Sequence, residues 1–249
     1  MQIIGAGRVG RALARRAAAE GIAVDLVTRD EGWDALDVPS GRPIVVATRN
    51  DDLRQVLART PGHRRSDLVF VQNGMLRSFL HAQGLTEATR GILFFAVPDR
   101  QADAQPGGSS PFWGPHAEAV VDWLGQVSLP AHAASAPEFA HVELEKLLWN
   151  CIFGLLCEVH ELAVGEVVAR RSDQVAALAA ELAPVAAHVL GITPDVAGMV
   201  DRMNAYSRSI PTYRGAVKEW PWRNGWFVEA AAAQGVRLPL HERLLSSRP

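Results

Sequence analysis

Gln2-Ile3-Ile4-Gly5-Ala6-Gly7-Arg8-Val9-Gly10 is the stretch on which the fold turns. A short apolar run of strand character leads straight into Gly-x-Gly-x-x-Gly, and Val9 to Ala19 continues with helical spacing. In a strand-turn-helix of this kind the first glycine permits a tight turn and the second lets a pyrophosphate approach the backbone. The third lets the helix pack close on the strand, with the phosphates resting on the helix N-terminus. Gly5, Gly7 and Gly10, with Arg8 and Val9 between them, are therefore the expected dinucleotide-binding residues. An isolated glycine motif also occurs as a small-residue turn in unrelated α/β proteins, so the surrounding pattern has to decide.

Further β-branched runs follow at Ala23 to Thr28, Ile44 to Thr48, Leu68 to Gln72 and Ile92 to Ala96. Helical spacing separates them at Asp51 to Ala58, with Asn50 and Asp51 as capping candidates, and at Leu76 to Gln83. Strand alternating with helix predicts parallel pairing, right-handed crossovers and helices on both sheet faces. Gln101 to Pro111, rich in Gly, Pro and Ser, reads as a loop or degraded hairpin. From Pro137 the character changes to long Ala/Leu/Val helices, at Glu138 to His160, Asp173 to Leu190, Asp195 to Tyr206 and Trp222 to Gln234, and Pro130 and Pro137 bracket the boundary. The expected architecture is α/β: a Rossmann-type doubly wound parallel sheet over 1–133, then an all-helical domain over 134–249 for substrate or dimerisation.

The 249 residues are 48% hydrophobic and 21% charged, which fits a globular chain with real cores rather than a disordered one. A net charge of −2 gives no pull toward nucleic acid or anionic lipid. No apolar run approaches the ~20 residues that span a bilayer. Met1 leads into Gln2-Ile3-Ile4 rather than into a signal peptide. Arg8, Arg11, Arg15 and Arg16 imitate an organellar presequence, but the glycine pattern accounts for the same stretch better. Cys151 and Cys157, the only cysteines, lack zinc spacing and disulfide density, so a reducing, cytoplasmic setting is expected.

The second strand ends at Thr28-Arg29, where an NAD enzyme usually carries an acid on the ribose hydroxyls. Arg29 there suits the 2′-phosphate of NADP, and Arg49, just past the third strand, is placed to reach the same region. Asp25, Asp30 and Glu31 keep an NAD reading open, and a solvated loop charge is the bland alternative for Arg29.

Three more segments carry chemistry: Val71-Gln72-Asn73-Gly74-Met75 after the fourth strand, Lys146-Leu147-Leu148-Trp149-Asn150-Cys151 on the first long helix, and Glu219-Trp220-Pro221-Trp222-Arg223-Asn224-Gly225. Asn73-Gly74 alone is a turn signal, but at the carboxyl end of a parallel strand it faces the crevice where open α/β sheets bind ligands. Lys146 and Asn150, four apart, share a helix face inside an apolar segment, so a partly desolvated ammonium is expected. Such a cation can polarise a ketone and donate a proton to the developing alkoxide; the bland alternative is a lysine that snorkels to solvent.

With the glycine turn, and in this order over most of the chain, these segments resemble the ketopantoate reductase family. The resemblance implies a Rossmann domain followed by a helical domain of the 6-phosphogluconate dehydrogenase C-terminal kind, with an active site in the cleft. It implies reduction of 2-ketopantoate to pantoate with NADPH, a step of pantothenate biosynthesis, and it allows a homodimer. By the same resemblance Lys146 is the catalytic acid, Asn73 lies beside nicotinamide and substrate, and Asn150 orients the substrate. Glu219 accepts a hydrogen bond from the substrate hydroxyl, and the family serine corresponds to Ser207, with Ser209 as the alternative.

The departures cluster near the expected pocket. Gly154 stands where the family commonly has a second asparagine, and Phe94-Phe95-Ala96-Val97-Pro98 replaces a stretch of small and hydroxyl residues. The following hairpin reads as eroded around Gly107-Gly108-Ser109-Ser110, and Trp220-Pro221-Trp222 with Trp226 suggests a bulkier, more apolar wall.

The chain lacks Tyr-x-x-x-Lys at Tyr206 and Tyr213, and it has no Gly-x-Ser-x-Gly elbow and no P-loop. No metal is expected at Cys157-Glu158-Val159-His160-Glu161, which has no partner cluster, and the scattered histidines, His116 and His241 among them, read as solvated or capping. The leading expectation is NADPH-dependent reduction of a small 2-keto acid to the 2-hydroxy acid. The rivals are a non-catalytic NADP-binding sensor and a reductase of an imine or bulkier ketone.

Overall fold

The computed structural model describes residues 1–97 and 99–248; Pro98, the last residue of the expected Phe94 to Pro98 departure, lies outside the described residues. The chain divides into two compact units, Met1–Phe139 and Ala140–Pro249.

In the first unit, β1 (Gln2–Ile4), β2 (Asp25–Val27), β3 (Ile44–Val46), β4 (Leu68–Phe70) and β5 (Thr89–Gly91) pair in parallel, in the order β2-β1-β3-β4-β5. Ile3 is level with both Leu26 and Val45, and Val45 with Val69, so the strand ends align along one edge. The connections are α1 (Arg8–Ala19), α2 (Leu53–Arg59) and α3 (Arg77–Ala82). Ile3, Val45 and Val69 form the core with Ala12, Leu13 and Ala17 of α1.

The far side of the sheet departs from expectation. The fifth strand is Thr89–Gly91, not Ile92 to Ala96. Gly91 is used there because the ring of Phe112 occupies the space a Cβ would need. The hairpin judged eroded is intact, with β6 (Phe95–Ala96) antiparallel to β7 (Gln105–Pro106). Arg15 and Arg16 hold it: Arg16 forks onto Asp103 at 2.8 Å, and Arg15 donates to the carbonyls of Arg100 and Ala102. This ribbon returns the chain without a helical crossover, so β8 (Ser110–Trp113) joins β5 antiparallel. After α4 (Ala117–Gln126), β9 (Ala131–Ala133) pairs with β8 in parallel. The sheet therefore has seven strands and is mostly, not wholly, parallel.

At the edge where β1 and β4 begin, a fully buried Arg64 bonds Asp67 at 2.6 Å, Gln2 Oε1 at 3.0 Å and the carbonyls of Leu36 and Arg42. Asp67 also accepts the Gly41 N–H, and His116 Nε2 lies 3.1 Å away. Removing the guanidinium would leave a buried carboxylate uncompensated. Arg64→Ala is expected to cost about 3–5 kcal/mol, read as a lowered urea midpoint; a loss under about 1 kcal/mol would mean that water replaces the arginine.

The second unit is helical: α5 (Ala136–His160, its first residues in the first unit), α6 (Val164–Arg170), α7 (Ser172–Leu190), α8 (Val196–Ser209), α9 (Asn224–Gln234) and α10 (Pro239–Ser246). Pro137 is not a breaker. It lies in the first turn of α5, where a proline N–H is not needed, and Ser135 and Glu138 cap that end reciprocally. Leu147, Leu148, Cys151, Ile152, Phe153, Leu156 and Cys157 are all buried, so this stretch of α5 is apolar round its circumference and enclosed by its neighbours. The Glu181 carboxylate on α7 accepts the Leu240 and His241 N–H groups at the start of α10. His241 is not solvated as expected; it is fully buried against Asn224 Oδ1 at 2.9 Å, and burial pulls its pKa down to about 4. Among the described residues no helix is long and apolar enough to cross a membrane.

Candidate active site

Gly5 continues β1 by donating to Val27 O at 2.8 Å. Its φ is +113°, and a Cβ there would lie 2.8 Å from the Ala47 carbonyl. A Cβ on Gly10 would overlap the Gly5 carbonyl oxygen, so α1 approaches the turn only because that residue is glycine. Gly7 differs: it is exposed, has ordinary φ, and its nearest obstacle to a Cβ is Ala47 O at 3.9 Å. The protein itself does not require glycine at position 7, whereas a close-approaching ligand would. No side chain caps α1 and its first turn contains no acid, which suits an anion at that end. Arg8 is exposed there and Val9 half-buried. These residues fit a pyrophosphate.

Past β2, the Thr28 hydroxyl accepts the N–H groups of Asp30 and Glu31, closing a turn that leaves Arg29 projecting. The Arg29 side chain is 74% exposed and only 3.9 Å from Asp52, a pair worth little in water. Arg59 stacks over the Trp33 ring at 4.2 Å and donates to the Arg29 carbonyl. Arg49, also exposed, ends the turn after β3. Asp25 is level with Gln2 at the start of β2, the end of the strand away from the glycine turn, so it is no ribose acceptor.

Asn73 is exposed just past β4. Its carbonyl accepts the Asn50 amide at 2.9 Å, and the neighbouring Gln72 amide donates to Val46 O at 2.8 Å. Asn50 is thus not a helix cap but a buried brace for the Asn73 loop. Sequence spacing marked Asn50 as polar before a helix, and only the β3-β4 pairing reveals its partner.

In the second unit, Lys146 Nζ lies 5.4 Å from the Trp149 ring centre and 5.3 Å from that of Tyr206. Burial, with the nearby Arg223 guanidinium adding to it, lowers the Lys146 pKa to about 8. Trp149 stacks on Phe153 and meets Tyr206 edge-on at 5.1 Å and Tyr213 at 5.9 Å. The rings beside Lys146 are thus those of Trp149 and Tyr206, with Phe153 and Tyr213 packed on Trp149. Trp226 is core against Phe227, and Trp220 lies over Gly225, both because the turn folds back on α9. Asn150 turns its amide back to the Lys146 carbonyl at 2.8 Å. Ser207 is fully buried, donating to Met203 O and accepting from Trp149 Nε1 at 3.0 Å. Its hydroxyl therefore orients Trp149.

Glu219 holds a left-handed φ of +49° before the single turn Trp220–Trp222, and its carboxylate lies 2.6 Å from Arg223 Nη2. Gly154 is explained by the same region: a Cβ there would lie 2.8 Å from the Ala216 carbonyl oxygen, and one on Gly215 would lie 3.0 Å from the Gly154 Cα. Backbone thus occupies the space that a side chain at position 154 would need. Glu158 accepts the Val217 N–H at 2.7 Å, and His160 pairs with Gln174, so both serve the fold. Cys151, its pKa pushed up to about 12 by burial, is no nucleophile.

No family model matches the sequence, and no curated protein sequence matches it. Solved structures do. A D-mandelate dehydrogenase complexed with NADH superposes with a TM-score of 0.77 at 17% identity, covering 99% of this chain and 97% of that one. A dimeric ketopantoate reductase from Staphylococcus aureus gives 0.75 at 14%, covering 98% and 96%. A probable 2-dehydropantoate 2-reductase from Bacillus subtilis gives 0.71 at 17%, covering 99% and 97%. At the level of three-dimensional structure, the chain has the fold of the ketopantoate reductases.

Proposed function

We propose that the protein is an NADPH-dependent reductase of a small 2-oxo acid. The observation that carries this reading is Lys146, a buried ammonium beside two aromatic rings whose lowered pKa suits proton donation near neutrality. Gly5, Gly7, Arg8, Val9 and Gly10 bind the pyrophosphate, Arg29 and Arg49 meet the 2′-phosphate, and Asn73 orients the nicotinamide and substrate. When bound, the nicotinamide supplies a hydride to the carbonyl carbon. Lys146 holds the carbonyl oxygen and gives it a proton, while Asn150 and Glu219 fix the substrate's polar groups. Ser207 acts only through Trp149. The S. aureus ketopantoate reductase is dimeric, and a cytoplasmic homodimer is the setting we propose.

Loss of NADPH absorbance with ketopantoate beside a panel of 2-oxo acids tests the reading. NADPH binding with no oxidation anywhere on the panel would favour a non-catalytic sensor. A second reading, a 2-oxo acid with an aromatic substituent, is favoured by the Trp149, Tyr206, Tyr213 and Phe153 rings near Lys146 and by the likeness to a mandelate dehydrogenase. Aromatic members of the panel decide between the two.

For the cofactor, Arg29→Ala is expected to weaken NADPH about 10- to 100-fold and NADH by less than about threefold in fluorescence titrations. Equal losses would remove Arg29 from the 2′-phosphate.

A further inference from the structure

Arg223 belongs to none of the residues that the resemblance carries over, yet it shares the surroundings of Lys146. Its backbone is pinned on both sides: its N–H donates to Trp220 O at 3.2 Å, and its carbonyl accepts the Phe227 N–H at 3.2 Å. Glu219 holds one terminal nitrogen at 2.6 Å, and the side chain is 11% exposed. Among the described residues the buried Nε–H nevertheless has no acceptor, and Glu219 Oε2, close as it lies, accepts no well-aligned hydrogen bond. A charged donor fixed in place and left unsatisfied is costly for the fold alone and useful to a ligand that accepts from it.

The charges name that ligand. The Arg223 guanidinium lies close enough to the Lys146 ammonium to depress its pKa, and an anionic ligand relieves the repulsion between two neighbouring cations. A planar carboxylate suits the flat guanidinium edge with two charged acceptor oxygens, whereas a neutral ketone offers a single, weaker acceptor. The position where the resemblance expects a second asparagine is glycine in this chain and covered by the Ala216 backbone, so that residue offers a substrate no polar side chain.

We propose that Arg223 receives the carboxylate of the substrate and makes the site selective for 2-oxo acids over neutral carbonyl compounds. The proposal rests on the reductase reading and specifies which end of the substrate this residue holds.

The test is calorimetric titration of the full-length protein, alone and with NADPH, using oxamate and its neutral counterpart oxamide. Native protein is expected to bind oxamate about 10- to 100-fold more tightly than oxamide. Arg223→Gln should keep oxamide binding and bring oxamate to within about threefold of it, and Arg223→Lys should fall between. With a 2-oxo acid and its methyl ester as substrates, Arg223→Gln should raise KM for the acid alone. It should also move the alkaline limb of the pH profile upward, because a cation that depresses the Lys146 pKa is gone; a purely structural arginine would not raise KM for the acid while sparing the ester. No oxamate preference in native protein, or an undiminished preference in Arg223→Gln, overturns the assignment. An Arg223-dependent preference in a protein that oxidises NADPH with no 2-oxo acid would instead sink the reductase reading and leave the anion site standing.

Discussion

Lys146→Ala is expected to lower turnover by about 10²–10⁴-fold while leaving NADPH affinity within about twofold. The protonated amine is the donor, and its pKa is about 8. Reduction should therefore fall as pH rises through about 8, and oxidation of the 2-hydroxy acid should gain over the same range. The same shift has a stability consequence of opposite sign. The folded pKa lies below the unfolded value near 10.5, so the native state binds this proton less tightly than the unfolded chain does. That cost is fully present below about pH 8 and is relieved as pH climbs through the unfolded value. Lys146→Met should thus be inactive yet more stable at pH 7, by on the order of 2 kcal/mol, a gain visible as a raised unfolding midpoint that shrinks toward pH 10. Unchanged turnover would take Lys146 out of the mechanism, and an unchanged midpoint would mean that its ammonium is well hydrated.

The glycine turn permits a sharper separation of fold from ligand. In Gly10→Ala the new methyl group overlaps the Gly5 carbonyl oxygen. The variant should lose about 1–3 kcal/mol of stability and most nucleotide affinity together, because α1 must retreat from the turn. Gly7→Ala meets no protein atom nearer than 3.9 Å, so its stability should stay within about 0.5 kcal/mol of native. Its NADPH affinity should nevertheless fall by at least about 10²-fold, since the methyl stands where a pyrophosphate comes closest. Circular dichroism melts paired with cofactor titration read both. A Gly7→Ala protein that binds NADPH as tightly as native would show that the phosphates lie elsewhere.

These positions were legible because the glycine spacing and the four-residue Lys146/Asn150 interval survive translation into structure: one is a local turn, the other a local helix face. The first four strands followed from short β-branched runs for the same reason. The fifth was misplaced because Ile92 to Ala96 is the more apolar segment, while the true strand, Thr89–Gly91, is held by a ring from β8 that no local pattern announces. β8 carries Pro111 and β9 is Ala131-His132-Ala133, with no β-branched residue, so neither offers a strand signal. Arg223 carries no signal of its own within a Trp/Pro-rich segment, because its proximity to Lys146, far away in the chain, arises only in the fold. Ser207 was chosen as a hydroxyl of the right type, but burial beneath Trp149 gives it a different task.

The contact between Gly154 and the Gly215-Ala216 backbone limits how this protein can be redesigned. Each of the two glycines makes room for the other segment's main chain, so they form a lock and its key. Placing an asparagine at position 154 on α5 by point mutation would drive its side chain into a peptide group, so this face of the helix cannot be made more polar one residue at a time. A graft would have to exchange the crossing segment and the helix together.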